Sequence, residues 1–351
     1  MDSLTVLVTG AGAPGIKGTL YSLRENFDKR RIRIIGTDIK KEVIGTYLCD
    51  SFYCISRPSE RIYLDQLLSI CENEGVNVIL PQNTLELPVL AENKHLFRNI
   101  GTSIAISDTP GIAIANDKYE LMKLADRIGV PTPKYFLVDN FDFLKESARE
   151  LGWPDKPFVV KPPLSNGMRG VRIVDESLDL KRMFYSEKPT SLFTKMKTLY
   201  EILESHFPPL IAMEYLPNAE YTVDVLRTQK YTIIPRKREL IHSGITFHGT
   251  VEHHEDLITY ARMLGEAIGL KYAFGFQFKM DEQGIPKLLE SNPRIQGTMV
   301  LSTFAGANII YAAVKHALNE DIPEFQIKWG TKILRYWGGL GIQNRDILAF
   351  L

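Results

Sequence analysis

The segment AFGFQFKMDEQGIPKLLESNPR, residues 273–294, decides how the chain is read. Its first half alternates. Phe274, Phe276, Phe278 and Met280 fall on one face of an extended strand, Gln277 and Lys279 on the other. Asp281-Glu282-Gln283-Gly284 is a polar link of the hairpin kind, so a second strand follows over Pro286–Asn292. With that link Met280 pairs with Ile285, and Gln277 faces Leu288, one diagonal step from Glu290. Glu290, Asn292 and Arg294 share a face. A carboxylate, two amide oxygens and a guanidinium make a poor core and a good metal-phosphate site. Mg²⁺ takes few protein oxygens plus phosphate oxygens, and arginine clamps phosphoryl or carboxylate groups. The plain alternative is the solvated face of a half-buried sheet.

Upstream segments add to this site. Phe158-Val159-Val160-Lys161 is an apolar strand ending in a lysine, whose stem can pack while its ammonium reaches a phosphate. Ser165-Asn166-Gly167-Met168-Arg169-Gly170 is a small loop suited to closing over phosphates with its amides. Ile211-Ala212-Met213-Glu214-Tyr215-Leu216 is another apolar strand with a carboxylate at its end, and Glu220 follows after a short link. These two carboxylates suit an adenine amino group and ribose hydroxyls, with backbone at Leu216 completing the base contact. Asp117 fits a helix N-terminus over Asn116–Gly129, and Lys118 beside it is a second phosphate candidate. Singly, each segment has an ordinary explanation: a hairpin, an acidic loop, a solvated lysine.

The N-terminal third alternates strands (Leu4–Thr9, Arg33–Asp38, Val76–Pro81, Ser103–Ser107) with helical patterns such as Ile62–Glu74, which predicts a parallel sheet. It ends at the break Asp108-Thr109-Pro110-Gly111. Gly10-Ala11-Gly12-Ala13-Pro14-Gly15 fits the dinucleotide fingerprint, with Asp38 near the position of a ribose-binding acid. An NAD-dependent oxidoreductase is therefore one alternative, although it leaves Lys161, Glu214 and the 290–294 strand unexplained. A tight turn that needs glycine for its dihedrals is the simpler reading.

The chain has 351 residues, is 44% hydrophobic, and balances 42 basic against 42 acidic residues. Its length suits two or three domains, and its balanced charge gives no sign of a nucleic-acid or membrane partner. Cys49, Cys54 and Cys71 form neither a disulfide framework nor a zinc pattern, as expected of cytoplasmic thiols. No signal peptide or bilayer-spanning run is seen, so a cytoplasmic location is expected.

In this order and spacing, the segments resemble the ATP-grasp superfamily, and within it a single ATP-grasp unit of the carbamoyl-phosphate synthetase large subunit. The resemblance covers about residues 1–320. It implies an α/β fold with a Rossmann-like domain over residues 1–108, a helical linker over 109–133, a central lid lobe over 134–212 and a C-terminal lobe over 213–351. It implies ATP on Lys118, Lys161, the loop Ser165, Asn166, Gly167, Met168, Arg169 and Gly170, and on Glu214, Tyr215, Leu216 and Glu220. Two Mg²⁺ ions, replaceable by Mn²⁺, would sit on Gln277, Glu290 and Asn292. Arg294 would face the transferring phosphate, and Arg236 the substrate carboxylate. Gln277 stands where many members carry an acid, and the phosphate loop has fewer glycines than most.

The activity implied is a carboxylate–amine ligase, or one using another nucleophile, acting through an acyl phosphate. The partners are small molecules, and a homodimer is the candidate assembly. Two further readings are a subunit forming carboxyphosphate from bicarbonate with a partner chain, and a non-catalytic nucleotide-binding module. The C-terminal stretch 331–351 and residues 188–206 carry no functional reading.

Overall fold

A computed structural model describes residues 3–165, 167–343 and 346–350. Contacts divide the chain into two units. The first comprises Met1–Ala115, Glu220–Gln277 and Ser291–Leu351; the second comprises Asn116–Ala219 and Phe278–Glu290. The fold is mixed α/β, a parallel sheet followed by two largely antiparallel sheets.

The first unit opens with a five-stranded parallel sheet in the spatial order Ser51–Cys54, Ile32–Asp38, Leu4–Val8, Val78–Leu80, Ser103–Ile104. Val6, Leu7, Val8, Ile34, Ile35, Val78, Ile79 and Leu80 have at most 0% exposure. A strand covered on both faces needs this unbroken apolar run, which is why the sequence shows no alternation there. The edge strand Ser51–Cys54 was not foreseen; its residues are only partly buried and carry little signal.

A six-stranded sheet follows in the order Pro286–Asn292, Tyr272–Met280, Glu220–Arg227, Tyr231–His242, Ile245–Val251, Lys332–Leu334. The division of the chain runs through its first two strands. Helix Ile309–Ala317 joins the two sheet cores of the first unit. Ile309 through Val314 are all buried, and they share one cluster with Val6, Val8 and Ile34 on one side and Leu226, Ile234 and Val251 on the other. A helix that is apolar all round belongs in such a place. The strand Tyr231–His242 is longer than the predicted Thr232–Pro235, because charged side chains at Arg236 and Arg238 hide the β pattern that tertiary pairing supplies. The break at Asp108 also needs correcting: a helix, Thr109–Asn116, starts there, with Pro110 in its first turn where a missing N–H costs nothing.

The second unit holds a sheet in the order Tyr135–Asn140, His206–Glu214, Phe158–Lys161, Arg172–Val174, Phe193–Thr194. Along His206–Glu214, Ala212 faces a core with Phe158, Val160 and Leu144, while Ile211 and Met213 face Met122 and Leu289. Helix Lys118–Ile128 starts as predicted, with the Asp117 carboxylate accepting from the amides of Tyr119 and Glu120. It ends at Gly129 in the left-handed region (φ +77°). Among the described residues, no helix is long and apolar enough to cross a membrane.

Candidate active site

In the second unit two buried lysines converge on the same strand end. Lys118, at the first position of its helix, is 5% exposed, and Lys161, the last residue of its strand, is 6% exposed. Lys118 Nζ donates to the Ser165 carbonyl at 2.6 Å and to Ser165 Oγ at 3.3 Å, and lies 3.7 Å from the Glu290 carboxylate. Lys161 Nζ donates to the Leu289 carbonyl at 3.0 Å. Apolar packing holds both stems, so the ammonium groups are delivered in one place.

The phosphate-loop candidate follows Ser165. Gly167, Met168 and Gly170 have φ of +60°, +61° and +76°, and Arg169 is exposed. A side chain at Gly167 would meet only the Arg169 guanidinium. Asn166 lies outside the described residues. Glu214, at the end of its strand, accepts from the Lys134 amide at 3.1 Å and from Lys287 Nζ at 3.2 Å, both on Oε2. The Tyr215 ring lies under Lys279 Nζ at 5.2 Å, and Leu216 is buried.

The first unit carries the remaining candidates. Arg294 donates from Nε to Thr84 Oγ1 at 2.9 Å, from Nη1 to the Ile295 carbonyl at 2.9 Å, and from Nη2 to Asn292 Oδ1 at 3.3 Å. Thr84, which the sequence did not single out, thus sets the guanidinium plane. Glu220 is opposite Arg238 in the ladder and pairs with its Nη1, and the same nitrogen lies 3.4 Å from Gln277 Oε1. Arg236 is 1% exposed; its Nη2 donates to the fully buried Asp224 at 2.6 Å, and its Nε has no hydrogen-bond partner among the described residues. Asp224 also accepts from Ser302 at 2.7 Å. Arg335, in the unread C-terminal stretch, donates to the Gly297 carbonyl; burial, and then the charge of Arg236, lower its pKa.

The N-terminal glycine loop is packed by protein. The Gly12 amide donates to Asp38 Oδ2 at 2.8 Å and the Lys40 amide to Oδ1 at 3.0 Å, so both oxygens of the expected ribose acid serve backbone amides. A Cβ on Gly15 would lie 2.3 Å from Gly297 Cα. Beneath the loop, the fully buried Glu86 carboxylate accepts from Thr9 Oγ1 and from the amides of Gln82 and Asn83, and bonds the Tyr63 hydroxyl at 3.0 Å. Burial is the largest influence on it and raises its pKa.

Among the described residues, no three His, Cys, Asp or Glu gather as a metal site. The oxygen donors that the sequence nominates are the Gln277 and Asn292 amides in the first unit and the Glu290 carboxylate in the second, each of the hard kind that Mg²⁺ takes beside phosphate oxygens and water.

Residues 206–334 match the family model described as ATP-grasp in the biosynthetic pathway with Ter operon, and residues 6–105 match the PylC-like N-terminal domain. The carbamoyl phosphate synthase large chain of Clostridium perfringens (strain SM101 / Type A) is 26% identical over 294 residues, covering 79% of this chain and 26% of that one. The large chain from Methanothrix thermoacetophila is 27% identical over 285 residues, covering 76% and 25%. The chain thus spans about a quarter of the length of these relatives. Among solved structures, the biotin carboxylase domain dimer of 2-oxoglutarate carboxylase from Hydrogenobacter thermophilus, in complex with MgADP, ADP and bicarbonate, superposes with a TM-score of 0.68 at 18% identity. That match covers 93% of this chain and 73% of that one. The N-terminal domain match precedes the ATP-grasp domain match, in the expected order, and the chain resembles a single ATP-grasp unit of the carbamoyl phosphate synthase large chain.

Proposed function

We propose that this chain is an Mg-ATP-dependent ligase that activates a carboxylate as an acyl phosphate. The observation that carries the reading is the convergence of two buried ammonium groups, Lys118 and Lys161, on Ser165 and the Leu289–Glu290 strand end. Two buried ammonium groups side by side suit the oxygens of a phosphate, which accept charge-assisted hydrogen bonds from both.

In the proposed reaction a carboxylate oxygen attacks the γ-phosphorus of ATP. The bond to the β–γ bridging oxygen breaks, and ADP leaves. An amine, or another nucleophile, then adds to the acyl carbon and expels phosphate. The chain contributes position and charge. Lys118 and Lys161 neutralise phosphate oxygens, and Arg294, oriented by Thr84, faces the phosphoryl group in transfer. Glu290 and Asn292 would hold Mg²⁺, which supplies further charge neutralisation. Closure of residues 165–170 would keep water from the acyl phosphate. Glu214 and Glu220 are assigned to adenine and ribose. Arg236, which the resemblance assigned to the substrate carboxylate, is given no substrate contact here, because it is buried against Asp224.

Domain boundaries near residues 108, 133 and 212 go with this reading. A second reading, carboxyphosphate formation from bicarbonate with a partner chain, is favoured by the matched relatives being carbamoyl phosphate synthase large chains. The test is a thermal-shift comparison of wild type and Lys161→Ala with Mg-ATP, then with ATP in EDTA, followed by ADP-release screens over carboxylates and amines. Mg-ATP should raise the melting temperature of wild type, and less so without metal or without Lys161. ADP release with bicarbonate alone selects the second reading. Equal stabilisation of both proteins with and without metal removes the site from consideration.

A further inference from the structure

We infer that the small acid activated by this chain carries a second anionic group, and that Arg335 receives it, close along one backbone segment to the arginine assigned to the phosphoryl group. The inference rests on the ATP reading above and narrows its substrate class. All the residues that carry it belong to the first unit.

Arg335 lies in the stretch 331–351, which the sequence left without a function. It extends the ladder of the six-stranded sheet, its amide donating to the Phe247 carbonyl at 2.8 Å. In that ladder Arg238 pairs with Gly249, and Gly249 with Ile333. Arg335, two residues beyond Ile333, therefore shares the sheet face of Arg236 and Arg238. The three guanidinium groups on this face differ in their counter-charges. Arg236 pairs with Asp224, and Arg238 with Glu220. Arg335 is half-buried and has no carboxylate partner among the described residues; its Nη2 donates to the neutral Gly297 carbonyl. Burial, and then the like charge of Arg236, work against its cationic form. An anion seated on Arg335 supplies the missing counter-charge through a charge-assisted hydrogen bond.

Residues 294–297 set the spacing. Arg294 donates to the Ile295 carbonyl at 2.9 Å, and Arg335 to the carbonyl of Gly297. Two residues of chain span at most about 7 Å, so both guanidinium groups are anchored within the length of a small molecule. Between them comes Gln296, 9% exposed, whose side-chain nitrogen has no hydrogen-bond partner among the described residues. A buried donor is rarely left so, and a carboxylate oxygen can accept from it. Gly297 is itself held: a Cβ on Gly15 would lie 2.3 Å from its Cα. The carbonyl that orients Arg335 is thus part of packed backbone. Bicarbonate is too short to span the two arginines. An acid whose anionic groups are separated by roughly two or three carbons has the length.

The test measures ATP-dependent ADP release, with hydroxylamine as a small trapping nucleophile, over matched pairs. These are succinate and succinamate, glutarate and glutaramate, L-aspartate and L-asparagine, and L-glutamate and L-glutamine. Bicarbonate is the one-carbon control, and 3-phosphonopropionate replaces one carboxylate of succinate by a phosphonate. At least one diacid should turn over, with its monoamide poorer in kcat/KM by about tenfold or more. Arg335→Met should raise KM for that diacid by about tenfold or more, and leave the monoamide and the KM for Mg-ATP unchanged. Arg335→Lys should recover part of the loss. A purely structural role would not separate a diacid from its monoamide, and melting curves without ligand confirm that each variant is folded. Faster turnover of 3-phosphonopropionate than of succinate assigns the second group to the phosphate kind. Monoamides or bicarbonate turning over as well as the diacids, or Arg335→Met slowing acid and amide alike, overturns the inference and leaves the ATP reading standing. No turnover of any diacid by wild type overturns it as well; only if Mg-ATP also fails to stabilise wild type does the ATP reading fall with it.

Discussion

The chain has two glycine loops that look alike in sequence and differ in what faces their glycines. In Gly10–Gly15, one amide is taken by Asp38, and Gly15 is pressed against Gly297 backbone. In Ser165–Gly170, the described residues 167–170 are exposed, and a side chain at Gly167 would meet only the end of Arg169. The first loop spends its glycines on packing inside its own unit. The second keeps them for backbone conformation beside a buried lysine, Lys118, that already donates to Ser165. Glycine spacing therefore finds tight turns. Whether a turn serves a phosphate depends on whether its amides face protein or open space.

The open side of the comparison is tested at Lys161, the second buried lysine of the candidate site. Lys161→Ala should weaken Mg-ATP binding by roughly 2–3 kcal/mol, since a charge-assisted contact is lost, and should leave the ligand-free melting temperature nearly unchanged. Titration calorimetry measures the first and calorimetric unfolding the second. Unchanged ATP affinity would break the contrast between the loops.

In the packed loop, Gly15→Ala should destabilise the fold by about 3 kcal/mol, because the added carbon meets backbone that cannot rotate away. Gly167→Ala, limited to the strain of its positive φ, should cost only about 1 kcal/mol. Urea unfolding compares the two. Equal costs would mean that the loops are packed alike.

Glu86 holds the floor of the packed loop. Glu86→Ala should cost about 2–3 kcal/mol by stranding two amides and two hydroxyls, while Glu86→Gln should stay within about 1 kcal/mol of wild type. Its raised pKa sets the sign with pH. The contribution of Glu86 is complete below the ordinary carboxylate range and is lost as pH rises through the folded value, so Glu86→Gln should gain on wild type toward alkaline pH. A gap between the two proteins that does not change as pH rises above the ordinary carboxylate range would contradict this.

The smallest effect is at Asp108, whose pKa is lowered to about 2 by hydrogen bonds from Lys271 and Lys94. Its stabilisation is present above the ordinary aspartate value and fades as pH falls toward 2. Asp108 and Lys271 are more than half exposed, so Asp108→Asn should cost under about 1 kcal/mol at pH 7, and less at pH 2.

Much of this was legible from residues alone. The strands Tyr272–Met280 and Pro286–Asn292 lie within a residue of their expected places, because period-two alternation and a polar link are local signals. Asp117, Lys118 and Gly129 mark their helix for the same reason. Strands Ile245–Val251 and Lys332–Leu334 escaped; the second is a three-residue edge strand whose pairing with the first, and not its composition, makes it a strand. Arg236 read as a solvated or substrate-facing charge. That it is buried against Asp224, twelve residues away, follows from the register Thr222↔Arg236, which no local pattern displays.

The sequence by itself determined the fold class, the order of the segments and the residue types available to a phosphate and a metal, because periodicity, caps and turn residues act over a few positions. Tertiary structure decided which of those residues are committed to one another. Asp38 went to a loop amide, Thr84 to Arg294, and Arg238 to both Glu220 and Gln277. Those commitments pair residues up to 210 positions apart, and burial and hydrogen bonding settle them only once the chain has folded.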